Sequence, residues 1–351
     1  MKFSFKKFLS LVLAISIFSF NVFTINATYN EILEKNGIQI TKSKYSKTIK
    51  TESSTQTTID QSSLKLLKNK SKEKNLSLYE QNVIILQELG FSDITISTMT
   101  PSDIENLFQN AIEITTETIY MKSNPDGTTS IISEANCMNA IETKNNTVAT
   151  TAGSNDGWGN YPSDDGYMRL TISSEYLNPS SMNNEKGWYY FHTWYEWLSV
   201  PSHRMKDAIS IAAPNFTWDT FNADGAYCST MYYRHTDING YDGRVDANLK
   251  TTQDLTVASN GIYYEWYMPL SATGVDMYYI QFYIRARARV SFFESPQSVG
   301  VYTKYVHTYA TLDLEPTFSW TLVDQIGVSL NPHIVIKSND YYFNIAHSYT
   351  P

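Results

Sequence analysis

The sequence predicts a mainly β protein, with an antiparallel β-sandwich domain preceded by a small helical hairpin and a β-hairpin. Apolar and polar residues alternate from Tyr278 to Phe293, the pattern of a strand with one buried and one wet face. Asp-Gly and Asn-Gly turn signals recur through the same half of the chain. No helix-length apolar period separates these strands, so a parallel sheet is not expected.

The first 27 residues are typical of a secretory signal peptide. Lys2, Lys6 and Lys7 precede an apolar run from Phe8 to Phe20, and Ala27 supplies a small residue for cleavage. The run is shorter than the roughly 20 residues of a membrane span. We therefore expect a secreted, extracellular protein, cleaved near Ala27, with no transmembrane helix in the mature chain.

Residues 28–76 are rich in Lys, Ser, Thr and Asn, with scattered apolar residues. So little apolar surface does not offset chain entropy, which predicts a flexible basic leader or propeptide. The rest of the chain is acidic, with 14 Lys and Arg against 30 Asp and Glu over 79–351. That balance argues against nucleic acid as a partner, because phosphate contacts need dense Lys and Arg.

Residues 77–150 are predicted to form a small helical and β-hairpin region. The run 77–80 reads Ser-Leu-Tyr-Glu, a capping box that starts a helix ending near Gly90. Pro101 follows a Thr and predicts the first turn of a second helix. Segments 116–122 and 128–135 flank a Pro-Asp-Gly turn, as in a β-hairpin.

The sandwich domain is assigned to 151–351. Its further strand candidates are 187–198, 225–235, 261–270 and 303–314. The alternating segment from 278 to 293 is far longer than the usual strand of about 5 to 6 residues, which predicts a long bent strand or a bulge near Ala286.

Aromatic residues are abundant, with 26 Tyr, 16 Phe and 7 Trp. The candidate strand 187–198 carries rings on both faces, and only one face can point into a sandwich core. The other face is a candidate ligand platform, because flat rings with polar tips suit sugar or peptide recognition. The alternative is that the helical segment or a loop covers it. The candidate ligand-binding residues are Trp188, Trp194, Tyr195 and Trp197.

Arg285, Arg287 and Arg289 occupy one face of the alternating strand. Three like charges on one face suit an anionic ligand. The alternative is that they meet carboxylates from neighbouring strands as cross-strand pairs.

The loop containing Asp237, Asn239, Asp242 and Asp246 is rich in oxygen ligands and bent by glycines. Hard cations require such oxygens, so calcium is the candidate cofactor. The spacing departs from a regular calcium loop at Asp242, and an ordinary Asx-rich turn is the alternative.

His203 and Asp207 are close enough in sequence for acid–base chemistry, with loop salt bridges as the alternative. The chain has no His-Glu-x-x-His motif and no Gly-x-Ser-x-Gly elbow. Its two cysteines, Cys137 and Cys228, could form a disulfide in an exported protein, or could be two buried thiols.

The segment 89–104, together with 195–201 and 207–209, resembles exported proteins of Gram-positive bacteria with no assigned activity. The resemblance implies an extracellular location and no reaction. Three functions stay open. The first is a non-catalytic binding protein for cell-wall polymer, glycan or protein. The alternatives are an extracellular hydrolase using carboxylate or His-Asp chemistry, and a pore-forming protein with strands of about 9 to 11 residues.

Overall fold

The structure is a computed structural model. It describes residues 31–35, 37–99, 101–124, 128–148, 166–199, 206–213, 216–219, 226–236, 242–251, 256–258, 261–267, 275–290, 297–309, 318–323, 327–332 and 337–349.

The strands in chain order are β1 Glu31–Lys35, β2 Ile38–Lys42, β3 Lys47–Lys50, β4 Ser54–Ile59, β5 Ala111–Ser123, β6 Thr129–Ile132, β7 Tyr167–Leu177, β8 Trp188–Ser199, β9 Lys206–Ala212, β10 Phe216–Trp218, β11 Ala226–Thr236, β12 Asp242–Thr251, β13 Thr256–Ala258, β14 Gly261–Tyr267, β15 Val275–Val290, β16 Gln297–Tyr309, β17 Phe318–Val323, β18 Gly327–Pro332 and β19 Lys337–Tyr349. The helices are α1 Gln61–Glu73, α2 Leu78–Glu88, α3 Asp93–Thr98, α4 Pro101–Asn106 and α5 Glu134–Val148.

The described elements form three layers. A 12-stranded sheet runs β1-β2-β3-β4-β5-β7-β8-β15-β11-β12, with β6 and β10 paired at its sides. A five-stranded sheet, β13-β14-β9-β16-β19, packs on one face of it. Helices α1 to α4 pack on the other face. All the pairings described are antiparallel, and the predicted mainly β sandwich with a small helical part is confirmed.

The core between the two sheets follows the predicted alternation of β15. Ile284, Ala286 and Ala288 are fully buried there, while the arginines between them are half-buried. They pack with Ile209 and Val301 of the smaller sheet. The pairing is continuous at Ala286; the register shift lies at the other end of β15, opposite residues 233 and 234 of β11.

The helical layer has its own core against the large sheet. The predicted capping box is present: Ser77 N–H donates to Glu80 Oε2 over 2.8 Å, and Glu80 N–H donates to Ser77 Oγ over 3.3 Å. Helix α4 begins at Pro101 as predicted, and a further short helix, α3, precedes it. The hairpin of β5 and β6 is also confirmed. No helix in the described ranges is long and apolar enough to cross a membrane.

The segment predicted as a flexible leader, 28–76, differs from that expectation. From residue 31 it contains four strands and helix α1, and β4 pairs with β5 of the main sheet. Some of its few apolar residues share one side: Tyr45, Ile59 and Leu64 are buried in the helix-side core. Composition averages over both faces of a strand and therefore hides this burial.

The large sheet is continuous across residue 150. Strand β5 pairs with β7 over most of its length, although residues 149–165 between them lie outside the described ranges. Helix α5, which composition did not predict, packs against β5.

Candidate functional site

The candidate site lies on the helix-facing side of the large sheet, where β8 and β15 run side by side. Their register places Trp188 opposite Arg289, Tyr190 opposite Arg287, and His192 opposite Arg285. Further along, Trp194 lies opposite Tyr283. Two residue sets that the sequence suggested separately, the aromatic strand and the arginine row, are therefore cross-strand neighbours on one face.

One half of this face is covered by the helical layer, and we call it the covered half. Trp194 and Tyr283 are 2% and 8% exposed, and Phe91 packs edge-on against Trp194 with ring centroids 5.1 Å apart. Arg169 pairs with the fully buried Glu196 and also donates to Ser92 Oγ and Thr95 Oγ1. A buried charge requires such partners. Arg169 therefore links α3 to the sheet through these two hydroxyl groups.

A buried polar cluster lies where the helical cover ends. Glu175 Oε1 is 2.7 Å from His192 Nε2, and His192 Nδ1 is 2.6 Å from the Tyr283 hydroxyl oxygen. Glu175 and His192 are 2% and 1% exposed. Burial lowers the pKa of nearby Lys68, and the charge of Glu175 partly opposes that shift. The cluster is closed to solvent, and although Glu175 Oε1 and His192 Nε2 lie close together, their geometry does not make a hydrogen bond.

The other half of the face, which we call the open half, carries alternating guanidinium groups and rings. The Arg285 guanidinium lies 5.3 Å from the Tyr190 ring centroid. Arg287 lies 5.6 Å from Tyr190 and 5.9 Å from Trp188, and Arg289 lies 5.9 Å from Trp188. These are cation–π distances. We call these five residues the ladder; all of them are partly exposed.

Carboxylates hold the ladder's arginines in place. Asp219, just beyond β10, accepts from Arg287, and Glu185 accepts from Arg289 over 3.1 Å. Glu185 also accepts from the Trp188 indole N–H over 3.2 Å. The expected alternative, arginines meeting carboxylates, therefore holds for Arg287 and Arg289, although these carboxylates lie just outside the strands. Gly187, with φ of 83°, supplies the left-handed residue from which the chain enters β8.

The other candidate ligand-binding residues of β8 do not form a platform. Tyr195 and Trp197 are fully buried between the two sheets, and Trp194 is buried under the helices. The reason is the period of two: odd positions of β8 face the sandwich core and even positions face the helical layer. Trp188 alone of the four predicted residues belongs to the ladder.

His203 lies outside the described residues, and Asp207 has other partners. Asp207 accepts from the Tyr305 hydroxyl, and its Oδ1 is 2.9 Å from His307 Nδ1. Asp207 and His307 are 1% and 0% exposed, between the two sheets. Tyr305 also accepts from the Trp197 indole N–H over 3.0 Å. This cluster joins β8, β9 and β16 across the core, where a solvent-borne substrate does not reach.

The predicted calcium loop is not assembled by the described residues. Asp237 and Asn239 lie outside them, whereas Asp242 and Asp246 lie on β12. The part of the chain that the structure describes contains no cluster of three or more metal-ligating side chains.

The predicted disulfide is not formed, because Cys137 carries a free, buried thiol. Cys137 lies on α5, which packs against β5, and Cys228 lies on β11. Strands β7, β8 and β15 separate β5 from β11, about 19 Å at the usual strand spacing. A disulfide needs Cα atoms within about 7 Å. Burial raises the pKa of Cys137 to about 11.

A groove of about 420 Å³ lies elsewhere on the molecule, beside α1. Its lining includes Lys65, Lys68 and Lys72 of that helix, together with Asn and Ser side chains. It contains no aromatic residue and is separate from the ladder.

Sequence reasoning missed Tyr190, Asp219 and Glu185 as members of the site. Tyr190 carried a usable signal, since it shares the parity of Trp188 on the same strand. The two carboxylates carried none, because their role depends on strand register and on the turn before β8.

No family model matches the chain, and no curated protein matches it. Among solved structures, a pore forming protein is similar at 8% identity and a TM-score of 0.22, covering 92% of this chain and 100% of that one. The Clostridium perfringens NetB toxin in its membrane-inserted form is similar at 9% identity and a TM-score of 0.18, covering 56% and 96%. At these scores neither likeness assigns a function to this chain.

Proposed function

We propose that this is a secreted, non-catalytic protein that binds a glycan bearing anionic groups, such as a wall polymer, through the ladder. The observation that carries the proposal is the set of four cation–π contacts between Trp188, Tyr190 and the three arginines, on the half of a sheet face that the described helices leave partly exposed.

The chemistry of the ladder suits a sugar polymer. An indole or phenol ring is flat and rigid, and offers an apolar face with a polar edge. A guanidinium group presents a planar fork of donors that fits carboxylate and phosphate oxygens. The rings lie along β8 and the guanidinium groups lie beside them along β15. Successive sugar units of one polymer would therefore meet both kinds of group.

The ladder is also held in its geometry before any ligand arrives. Asp219 is 5% exposed and fixes Arg287, while Glu185 ties Arg289 and Trp188 together. Ordering flexible side chains on binding costs about 0.5 to 1.5 kcal/mol each, and these contacts reduce that cost. Rigid aromatic and arginine side chains are typical of residues that dominate binding.

The hydrolase alternative has less support at the residues named for it. Asp207 is bonded to Tyr305 and His307 and is sealed between the two sheets. A general base must come within about 3 Å of its substrate.

The test measures binding of the full chain to purified peptidoglycan, to walls bearing teichoic acid, and to lipid vesicles. Trp188→Ala and Tyr190→Ala are each expected to weaken polymer binding at least tenfold, equivalent to about 1.4 kcal/mol. Tyr263→Ala is the matched control, because Tyr263 is a partly exposed ring on β14 of the other sheet. Equal binding by all four proteins would refute the ladder as the site.

Pore formation is the second candidate, and the length of the central strands favours it. Strands β8, β11 and β15 have 12, 11 and 16 residues, and a membrane strand needs about 9 to 11 residues with alternating character. The apolar side of β15 packs on the smaller sheet, so insertion would first have to separate the two sheets. Release of dye from loaded liposomes supports this candidate, and intact liposomes at micromolar protein exclude it.

A further inference from the structure

Among the described residues, one edge of strand β1 pairs with no other strand of the large sheet. In the described part of the chain it pairs with β2 alone. Native proteins protect such edges with short strands, charged side chains, proline, bulges or an adjoining cover, and β1 is short and carries charges of both signs. Strand β1 has neither proline nor glycine, and its register with β2 is regular from end to end.

The same hairpin exposes apolar side chains on both faces. Ile32 is 59% exposed and Leu33 is 53% exposed, and neighbouring residues of a strand point to opposite faces. Ile38, at the start of β2, is 43% exposed. The ribbon therefore extends beyond both the helical layer and the smaller sheet. An edge strand with exposed apolar residues is a template for pairing with another strand.

The sequence of β1, Glu-Ile-Leu-Glu-Lys, is complementary to itself when reversed. An antiparallel copy centred on Leu33 places Leu33 opposite Leu33, Ile32 opposite Glu34, and Glu31 opposite Lys35. The two Glu31–Lys35 pairs and the central Leu33 pair are stabilising kinds of cross-strand contact, whereas the two Ile32–Glu34 pairs are not. A two-fold dimer needs this kind of self-complementary patch.

The hydrogen-bond alternation of the hairpin agrees with that register. Lys35 pairs with Ile38 across a two-residue connection, where the flanking residues exchange both backbone bonds. Residues 31, 33 and 35 then bond to β2, which leaves the N–H and C=O groups of Ile32 and Glu34 directed to the open edge. Centring on Leu33 matches these groups with those of the second copy.

We propose that two copies of this chain associate through antiparallel pairing of β1 with β1, which joins their large sheets into one. The pairing leaves the ladder free, because the ladder is on β8 and β15, near the opposite end of the sheet. Each dimer would carry two ladders, and two linked sites raise the avidity for a repeating polymer.

The test uses charge reversals in the full chain and measures molar mass in solution by light scattering. The wild-type chain is expected at twice the mass of one chain. Lys35→Glu puts like charges opposite each other in both symmetric pairs, and so does Glu31→Lys. For each variant alone, the dissociation constant of the dimer is expected to rise at least tenfold. Near-ultraviolet circular dichroism checks that both remain folded.

Mixing the two variants is the decisive step. A Glu31→Lys chain facing a Lys35→Glu chain has an opposite-charge pair at both ends of β1, so the mixture is expected to form a heterodimer. A wild-type monomer at about 100 μM would overturn the proposal. So would a dimer that both reversals leave unchanged, an open-ended assembly, or two monomeric variants that do not combine.

Discussion

The covered and open halves of one sheet face are built from the same two strands and differ in what lies over them. In the covered half, Trp194 and Glu196 are buried by the helical layer, where α3 and the connection before it contribute Phe91 and two hydroxyl groups. In the open half, Trp188 and Arg289 keep partial contact with solvent. The comparison shows that an aromatic residue of a strand is buried or exposed according to whether another segment of the chain packs over it.

Substitution of Trp194 and of Trp188 should give the largest difference in stability between the covered and open halves. Trp194→Ala leaves a cavity under the helices, and we expect it to lower the free energy of unfolding by about 3 to 5 kcal/mol. Trp188→Ala removes a partly exposed ring and should cost about 1 kcal/mol or less. Urea unfolding of both variants measures the difference. Similar losses would mean that the helical layer does not shield Trp194.

The ion pairs give a second contrast. Arg169→Ala leaves the buried Glu196 without its guanidinium partner, which we expect to cost about 3 kcal/mol. Arg289→Ala breaks a pair whose side chains are 36% and 47% exposed, and should cost under about 1 kcal/mol. If thermal unfolding shifts equally for both, Arg169 does not fasten the helices.

Stability measured as a function of pH tests a carboxyl group outside this face, that of Glu117. Burial raises the pKa of Glu117 above its ordinary 4.5, so the folded state holds that proton more tightly than the unfolded state. Its contribution to stability is therefore present below pH 4.5 and is lost as the pH rises through the folded pKa. As the pH rises from 3 to 7, the free energy of unfolding of Glu117→Gln should increase by up to about 1 kcal/mol relative to that of the wild type. A constant difference across that range would contradict this.

The smallest effect concerns Cys137. Burial raises its pKa to about 11, so the thiolate that reacts with alkylating reagents is scarce at pH 8. We expect little labelling by iodoacetamide in the native protein and complete labelling in urea, as measured by peptide mass. Rapid native labelling would show that α5 opens readily.

Local signals predicted local structure well. The capping box at Ser77 and Glu80, the proline start of α4 and the alternation of β15 each depend on residues within one element, and all three are present. The order of segment 31–76 was not expected from its composition, because it depends on the pairing of β4 with β5 and on the burial of Tyr45 and Ile59 under the helices. Composition does not record such pairing.

By itself the sequence determined that β8 and β15 each have two distinct faces, because side chains alternate with a period of two in any strand. Only the tertiary structure decided which residues of those faces are buried and which stay partly exposed. Strand register set Trp188 and Tyr190 beside the arginines, and packing of α1 to α4 buried Trp194 and Tyr283. Register and packing arise from contacts between residues distant in sequence, so no single stretch of the chain encodes them.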